Sequence, residues 1–193
     1  EPLIPEGTQL KGSPVKKTVE NKEYGATVWT LANGTQIVVK PTKFKADEVR
    51  MNAQSKGGLS ILPDAEYYMG EMMPAVSSMS GVGKFSATEL RKQLSGKSAT
   101  VQPSVGEYAS AVNASCSPKD IETMLQLVYL NFTQPRFDRN DYDNLMKMLR
   151  TQLENAKSNP DFQMQEKVIA VLYGHNPRRQ VISTELLDEF SFE

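Results

Sequence analysis

The composition indicates a globular chain with few residues suited to catalysis. Its 193 residues, with a mass of 21.5 kDa, suffice for one generous domain. The 22 basic residues balance 23 acidic ones, so no strong electrostatic field would recruit nucleic acid or an anionic membrane. The longest apolar run, Val168 to Tyr173, is far shorter than the ~20 residues of a membrane-spanning helix. The single cysteine, Cys116, excludes an internal disulfide, and the single histidine, His175, excludes a two-histidine zinc site.

The two ends are typical of a piece cut from a longer protein. Residues 1–23 are polar, contain several prolines and lack sustained periodicity, which predicts a hydrophilic linker. Residues 188–193 are apolar and acidic without a closing signal, which predicts the start of a connector to a following domain. We therefore expect a single domain over residues 24–187.

The first elements are predicted to be strands. Two β-branched runs, 27–31 and 35–39, flank Asn33-Gly34, a strong hairpin signal whose two central residues are expected at positive φ. Apolar residues alternate over 48–55, which predicts a third strand. Two further strands are predicted between residues 98 and 115.

Two helices are predicted between these groups of strands. The first follows Asp64, its expected N-cap, and is rich in methionine. Its apolar residues recur at helical spacing, which favours core packing over an adaptable binding surface: Met69, Met72, Met73, Val76 and Met79. The S-x-x-E pattern of Ser86 and Glu89 predicts a capping box for the second helix.

The rest of the chain is predicted to be mainly helical. Ser117 begins a helix with an expected core-facing stripe made of Ile121, Met124, Leu125, Val128 and Phe132. Two helices follow over 140–157 and 161–173, the latter capped by Asp161, and a short helix or connector is expected beyond residue 183. The pattern predicts an α+β fold, with a mixed or antiparallel sheet packed by helices on one face.

The residues that could carry chemistry each have a simpler interpretation. His175 follows a helix end, where interaction with the last carbonyl groups is favoured over catalysis. Cys116 precedes a helix N-terminus, but no base lies near it in sequence, and a small buried residue is the favoured interpretation. Residues 81–84 lack the spacing of a phosphate-binding loop and predict a turn. Arg178-Arg179 is too small a pair for a polyanion site.

Three sequence patterns occur in a defined order along the chain. They are Leu31-Ala32-Asn33-Gly34-Thr35, then Ser55-Lys56-Gly57-Gly58 with Leu62-Pro63-Asp64, and last Pro135-Arg136-Phe137 with Asn159-Pro160. In this order and spacing they resemble one domain of the pitrilysin-like zinc metallopeptidases, the family of insulysin, presequence protease and the mitochondrial processing peptidases. The resemblance covers residues 28–192 and implies the metallopeptidase-domain fold of that family.

The resemblance also locates the family's inverted zinc motif, H-x-x-E-H, on the first helix. The matching positions read Tyr68-Met69-Gly70-Glu71-Met72, so the glutamate is present and both histidines are absent. On the later helix, where a third ligand is implied at about residues 146–152, no carboxylate occurs before Glu154. A catalytic zinc site needs about three protein ligands. The resemblance therefore implies no catalytic, metal-binding or cofactor-binding residue in this chain, with zinc bound by another domain of the parent protein.

Members of this family are built from four such domains in two halves that enclose a chamber. The linker-like residues 1–23 imply that this chain is the third domain, opening the second half. The implied work is to form chamber wall in a peptidase of peptides and unfolded segments, and to help bind substrate. The implied partners are the other domains of the polypeptide and the peptide substrate, without nucleic acid or a membrane span. A bacterial periplasmic or envelope location is favoured, with the cytoplasm as the alternative.

Two other classes of function stay open. The first is a catalytically inactive structural or partner subunit of a processing-peptidase-like complex, which a parent without any H-x-x-E-H motif would favour. The second is a peptide-binding module that adds an extended ligand to a sheet edge, which saturable peptide binding would favour.

Overall fold

The computed structural model describes residues 2–174 and 176–192, in which strands and helices alternate. The strands are β1 (Val15–Asn21), β2 (Ala26–Leu31), β3 (Gln36–Val39), β4 (Val49–Lys56), β5 (Ala99–Val105) and β6 (Ala109–Cys116). The helices are α1 (Tyr67–Ser80), α2 (Ala87–Gln93), α3 (Ile121–Thr133), α4 (Arg139–Ala156), α5 (Pro160–Tyr173) and α6 (Thr184–Asp188). Within the described part of the chain, none of the helices combines the length and apolarity needed to cross a bilayer.

The six strands form two antiparallel sheets. We call β1, β2 and β3, paired in that order, the first sheet, and β4, β6 and β5, paired in that order, the second sheet. Side chains along β4 and β5 alternate between half-buried and exposed, because helices cover one face of the second sheet. The predicted α+β class with antiparallel strands is confirmed, although the strands divide between two sheets.

The second sheet contributes to the core through its contact with α3. Met124 of α3 is 2% exposed and packs between Ala114 and Cys116 of β6, with Met51 of β4 and Val101 of β5 around it. Each of the three strands thus presents apolar side chains to the same helix, as expected for a sheet with one buried face.

The hairpin between β2 and β3 forms where the sequence predicts it, but with a different turn. Gly34 has a φ of 87°, whereas Asn33 keeps a negative φ, so only one of the two central residues is left-handed. Gly34 donates its amide to Leu31 at 3.0 Å and Leu31 donates to Thr35 at 2.8 Å, which is a three-residue connection with a glycine bulge. The Asn33 side chain accepts from the Thr35 amide at 3.0 Å, which stabilises this turn.

Residues 2–23 contain a strand and two buried apolar side chains. Residues 15–21 form β1, in which Val19 pairs with Val28 of β2, and Leu3 and Ile4 are buried against Leu127. The sequence gives little sign of β1, because its lysines and exposed valines do not alternate as in a half-buried strand. The division of the chain into a hydrophilic linker at residues 1–23, a domain at 24–187 and the start of a connector at 188–193 stays a prediction.

Helix α3 turns a different face to the core than predicted. Its buried apolar residues are Met124, Leu127 and Leu130, whereas Ile121, Leu125 and Phe132 of the predicted stripe are exposed. The helix is apolar around most of its circumference, so the periodicity alone does not select which face packs. The predicted core-facing stripe of α3 is therefore wrong for Ile121, Leu125 and Phe132. These residues leave an apolar face of the helix exposed.

Some predicted helix caps are confirmed and others are not. Ser86 and Glu89 form the predicted capping box at α2, and the amide of Ser86 donates to Glu89 at 2.8 Å. Asp64 does not cap α1, because it lies in a short 3-10 turn, Asp64–Glu66, before that helix. Asn159 caps α5 in place of Asp161, by accepting from the Asp161 amide at 2.9 Å.

Candidate functional site

Two tyrosines at the start of α1 form hydrogen bonds with residues that are distant in the chain. Tyr68 is buried, and its hydroxyl both donates to the carbonyl of Gln180 and accepts from the amide of Gln180, each at 3.0 Å. Tyr67 donates to Glu107 at 2.9 Å, and burial together with this bond raises the pKa of Tyr67. Arg179 donates to the same carboxylate at 3.0 Å. The position that the resemblance gives to the first zinc-binding histidine is thus used for structural anchoring.

An apolar cluster fills the space between α1 and α4. Met72 and Val76 of α1 are buried together with Tyr142 and Leu145 of α4, and Leu187 of α6 completes the cluster. The resemblance gives the second histidine the position of Met72, and it gives the third ligand a position on α4. The facing surfaces of both helices therefore carry packing residues in place of ligands.

Glu71, the remaining residue of the degenerate motif, is exposed on α1. In residues 2–174 and 176–192, no three His, Cys, Asp or Glu side chains form a group suited to a metal ion. The set of Tyr68, Glu71 and Met72 does not fit zinc, which binds imidazole, thiolate and carboxylate, because it offers a single carboxylate beside a bonded hydroxyl and a packed thioether. The absence of catalytic, metal-binding and cofactor-binding residues stays a prediction.

Cys116 has the structural role that the sequence favours. It is buried at the end of β6, and burial, together with the nearby Asp120 carboxylate, raises the pKa of its thiol. A thiol with a raised pKa is protonated near neutral pH and is a weak nucleophile. The interpretation as a small buried residue is confirmed.

The remaining candidate residues that the structure describes also have structural roles. Residues 81–84 form a turn, closed by a bond from the Phe85 amide to the Val82 carbonyl at 3.0 Å. Arg178 pairs with Asp64 and donates to the Leu62 carbonyl, which fixes the approach to α1. His175 lies outside the described residues, so its predicted role at the helix end is not addressed by the structure.

A groove of about 520 Å³ lies between α1, α2 and β5. Met73, Pro74 and Ser77 of α1 form one wall, and Leu90 of α2 and Leu94, just after the end of that helix, contribute to the lining. The opposite wall is β5, whose residues from 99 to 103 and at 105 line the groove. None of the described residues that line it carries a charge.

The wall formed by β5 is a free strand edge, since β5 lies at the end of the second sheet. Gly106 donates to Ala109 and Ser117 donates to Ser98, both at 2.9 Å, and an uninterrupted register joins these two pairs. In an antiparallel ladder, bonded and non-bonded pairs alternate, so the even-numbered residues of β5 bond to β6. The backbone groups of the odd-numbered residues therefore point away from the sheet: Ala99, Val101, Pro103 and Val105.

The groove is the feature of this surface that the sequence does not reveal. Its walls come from segments that are distant in the chain, and no local pattern fixes their separation. Once the groove is known, two features can be related to it. Pro103 lies inside a predicted strand, which is typical of an edge. Met73 belongs to the methionine stripe but is 48% exposed. Met72 and Val76 of the same stripe are buried, so the favoured core interpretation holds for one side of α1 only.

No protein-family model matches the chain. A stretch of 115 residues, 60% of the chain, is 31% identical to a zinc protease PQQL-like protein of Arabidopsis thaliana, of which it covers 10%.

Solved structures share the fold over most of the chain. The periplasmic protease PqqL from Escherichia coli gives a TM-score of 0.79 at 17% identity, over 97% of this chain and 21% of its own. A mutant of the ferredoxin protease FusC, solved in complex with Arabidopsis ferredoxin, gives 0.80 at 15% identity, over 100% of this chain and 21% of its own. An inactive domain of peptidase M16 from Pseudomonas fluorescens gives 0.62 at 15% identity, over 84% of this chain and 42% of its own. The chain thus spans about a fifth of PqqL and of FusC and less than half of the inactive domain structure.

Proposed function

We propose that this chain, which is a pitrilysin-like (M16) peptidase domain, serves as a non-catalytic domain of a zinc metalloendopeptidase. The observation that carries the proposal is the packing between α1 and α4. Met72 is buried there and Tyr68 is bonded to the backbone of Gln180, so the helix that bears zinc ligands in active domains serves packing in this one. The zinc then belongs to another domain of the parent, and this chain contributes no ligand to it.

The chain's open apolar surfaces support a place among other domains of the same polypeptide. Exposed large apolar residues occur on three elements: Ile121, Leu125 and Phe132 of α3; Met164, Val168, Val171 and Leu172 of α5; and Val15, Val19, Ile37, Val38 and Val39 of the first sheet. Large exposed apolar patches mark interaction surfaces in soluble proteins. We assign to these surfaces the contacts with neighbouring domains that make this chain part of a chamber wall.

The position in the parent is proposed as the third of four domains. PqqL and FusC are each about five times as long as this chain, which matches a fifth of them. Residues 1–23 would lead in from the first half, and residues 188–193 would lead on to the fourth domain. The parent's substrates are proposed to be peptides and unfolded segments of proteins; FusC, for its part, has been solved with a ferredoxin bound.

We propose the bacterial periplasm or envelope as the compartment, with the cytoplasm as the alternative. The support is the periplasmic location of PqqL. Fractionation of cells that express the parent protein tests this, and recovery with the cytoplasmic markers would contradict it.

The function is tested on the parent protein with a quenched fluorescent peptide as substrate. We expect cleavage that a zinc chelator abolishes and added zinc restores. Glu71→Gln is expected to leave the cleavage rate unchanged, because Glu71 lies apart from any ligand set, whereas the same exchange in an H-x-x-E-H motif of another domain abolishes it. Loss of cleavage in Glu71→Gln would overturn the non-catalytic assignment, and a parent without the motif would favour the inactive-subunit alternative.

A further inference from the structure

We propose that the loop between β3 and β4, residues 40–48, docks Phe44 into an apolar pocket, bordered by carboxylates, on another domain of the same polypeptide. We call these residues the Phe44 loop. This inference rests on the proposed function, in which the parent protein has further domains around this one. Phe44 is then an anchoring residue of the chamber wall, on a loop that joins the first sheet to the second.

The side chain of Phe44 lies almost entirely in water. It is 95% exposed, more than any other large apolar side chain among the described residues, and the next, Val171, is 84% exposed. Phe44 belongs to none of the four buried clusters. Aromatic residues are enriched in the cores of protein interfaces, where a few side chains that fill pockets of the partner carry most of the binding energy. Phe44 therefore has the exposure and the chemistry of such an anchor.

The ends of the Phe44 loop are restrained before any docking. Pro41, which follows the end of β3, has its φ fixed by the ring. At the other end, Glu48 pairs with Lys45 at 3.7 Å and with Arg50 of β4 at 3.0 Å. A restrained loop loses less conformational entropy on binding than a free one. These contacts thus favour Phe44 as a residue that is held out for a partner.

The charges beside Phe44 determine the border of the pocket that can receive it. Lys43 and Lys45 flank Phe44 in the chain, and Lys40 begins the loop. Lys45 pairs with Glu48, whereas Lys40 and Lys43 form no ion pair with any residue that the structure describes. Carboxylates on the receiving surface would complete these two charges, and a basic border would repel them. We therefore expect acidic side chains around the pocket.

A second copy of this chain does not fit as the partner. Pairing of two identical loops across a two-fold axis would bring the unpaired Lys40 and Lys43 of both copies together. The stretch from 40 to 48 also has far fewer residues than the roughly 20–30 that each side contributes to a stable interface between separate molecules.

An anionic membrane is disfavoured as well. Asp47 and Glu48 lie in the same loop as the lysines, so its net positive charge is small. A single inserted apolar group gives only marginal membrane binding without a second strong signal.

A domain of the same polypeptide can use an anchor as small as this one. Linked domains meet at an effective concentration in the millimolar range, so a contact that is too weak for separate molecules suffices between them. PqqL, whose fold this chain shares, has 21% of its length matched by the chain. A parent of similar size has ample polypeptide outside residues 1–193 to provide the pocket.

The test compares proteolysis of the parent protein with proteolysis of this 193-residue chain. Lys43 and Lys45 are trypsin sites and Phe44 is a chymotrypsin site, so cleavage at residues 43–45 reports whether the loop is covered. We expect both proteases to cleave there at least about tenfold more slowly in the parent than in the isolated chain. Equal cleavage rates overturn the proposal.

Variants of the parent separate the anchor from general burial of the loop. Each rate is divided by the rate of the same variant in the isolated chain, which removes the preference of trypsin for the altered sequence. We expect Phe44→Ala to raise relative cleavage at Lys43 and Lys45 at least about fivefold, and Phe44→Leu, which keeps an apolar anchor, to stay within about twofold of the wild type. Tyr108→Ala removes an aromatic side chain that is 72% exposed in the turn between β5 and β6, and it should change nothing. Unchanged protection in Phe44→Ala, or an equal rise in Tyr108→Ala, overturns the proposal.

The acidic border and the other partners have tests of their own. We expect Lys43→Glu to raise relative chymotrypsin cleavage at Phe44 at least about threefold, more at low salt than at high salt, while Lys43→Arg retains the protection. Full protection in Lys43→Glu overturns the acidic border. A dimer of the parent that Phe44→Ala dissociates overturns the proposal in favour of a second copy. Sedimentation with phosphatidylglycerol vesicles that Phe44→Ala abolishes overturns it in favour of a membrane.

The two proposals can fail separately. Zinc-dependent cleavage of the quenched fluorescent peptide tests the parent's activity, and protease protection tests the Phe44 loop. A parent that cleaves the peptide and leaves the loop open to trypsin retains the proposed function and loses the docking of Phe44. A parent that protects the loop and shows no zinc-dependent cleavage retains the docking and loses the peptidase.

Discussion

Both sheets have three antiparallel strands, yet they differ in what covers them. The second sheet packs one face against Met124 of α3, whereas no described residue of β1, β2 or β3 belongs to any of the four buried clusters. The first sheet nevertheless carries apolar rows on both faces, with Val19, Val28 and Val38 aligned on one and Trp29 beside Ile37 on the other. The comparison teaches that apolar patterning specifies a strand but not the surface that covers it. A sheet of three strands needs a packed face for independent stability, so the first sheet is the part of this domain that most needs a neighbour.

Core substitutions should show the largest difference between the sheets. Met124→Ala removes a buried side chain at the centre of the second sheet's core, and we expect a loss of about 2–5 kcal/mol in the free energy of unfolding. Val38→Ala, at a position that is 63% exposed in the first sheet, is expected to cost below about 1 kcal/mol. Urea unfolding followed by circular dichroism measures both.

One result for these two variants would contradict the expected difference between the sheets. Equal losses in Met124→Ala and Val38→Ala would mean that the first sheet is covered in solution. Because this chain has no described contact that does so, light scattering on the same samples would then decide whether a second copy provides the cover.

Glycine positions provide the next comparison. Gly58 has a φ of 56°, and a Cβ there would overlap the backbone of Gly106 and lie 2.6 Å from the Ala109 amide nitrogen. Gly34 in the first sheet also has a positive φ, but a Cβ would meet nothing within 4 Å. We expect Gly58→Ala to cost about 2–4 kcal/mol, through backbone strain and overlap, and Gly34→Ala about 1 kcal/mol, through strain alone. Thermal unfolding of both variants measures this, and a smaller loss in Gly58→Ala would show that the β5–β6 turn shifts freely.

Most elements of the second sheet and the helices can be predicted from sequence because their signals are local. Alternation identifies β4, the capping box of Ser86 and Glu89 identifies the start of α2, and the Ser-Pro start identifies the region of α3. The face of α3 is not predictable in this way, since its apolar residues surround the helix and only the position of the sheet selects Met124 and Leu127. Strand β1 is not predicted for a related reason. Its residues do not alternate between apolar and polar, and its pairing with β2 stabilises the strand instead.

The candidate site, too, can be predicted from the sequence only in part. The absence of histidine at Tyr68 and Met72, where the resemblance implies zinc ligands, can be read from the sequence, because the resemblance aligns the motif residue by residue. What replaces them cannot, since the bond from Tyr68 to Gln180 and the packing of Met72 on Tyr142 join segments that are far apart in the chain. The groove beside β5 depends on such distances as well.

Hydrogen exchange should distinguish the sheets without any substitution. Strand β6 is central in the second sheet, so each of its amides faces either β4 or β5, and the amides of the buried Val112 and Ala114 should exchange through global unfolding. Amides of the first sheet, such as that of Val28, should open locally and exchange at least about tenfold faster, a difference of ~1.4 kcal/mol. Equal exchange rates in the two sheets would contradict the expectation that the first sheet opens separately from the second.

Acid should weaken the second sheet through Asp120, which is the smallest effect expected. Its carboxylate accepts from the Ser117 hydroxyl at 2.6 Å and from the Ser98 amide at 2.9 Å, and so links the approach to β5 with the approach to α3. The Ser117 bond, followed by the Ser98 bond, holds the pKa of Asp120 below its usual range, with Lys119 and Lys97 adding to the effect. The folded state therefore binds this proton less readily than the unfolded chain. The stabilisation is complete above the unfolded pKa of about 3.9 and is lost as the pH falls through the lower folded value.

Asp120→Asn isolates this contribution, because asparagine keeps an acceptor oxygen but does not titrate. We expect the stability of the wild type to fall more steeply than that of Asp120→Asn between about pH 5 and pH 2. Exchange at the β5 amides of Thr100 and Gln102 should accelerate over the same range in the wild type, relative to the amides of the first sheet. Parallel acid profiles in the two proteins would show that the Asp120 carboxylate does not stabilise the second sheet, and the comparison between the sheets would then rest on apolar packing alone.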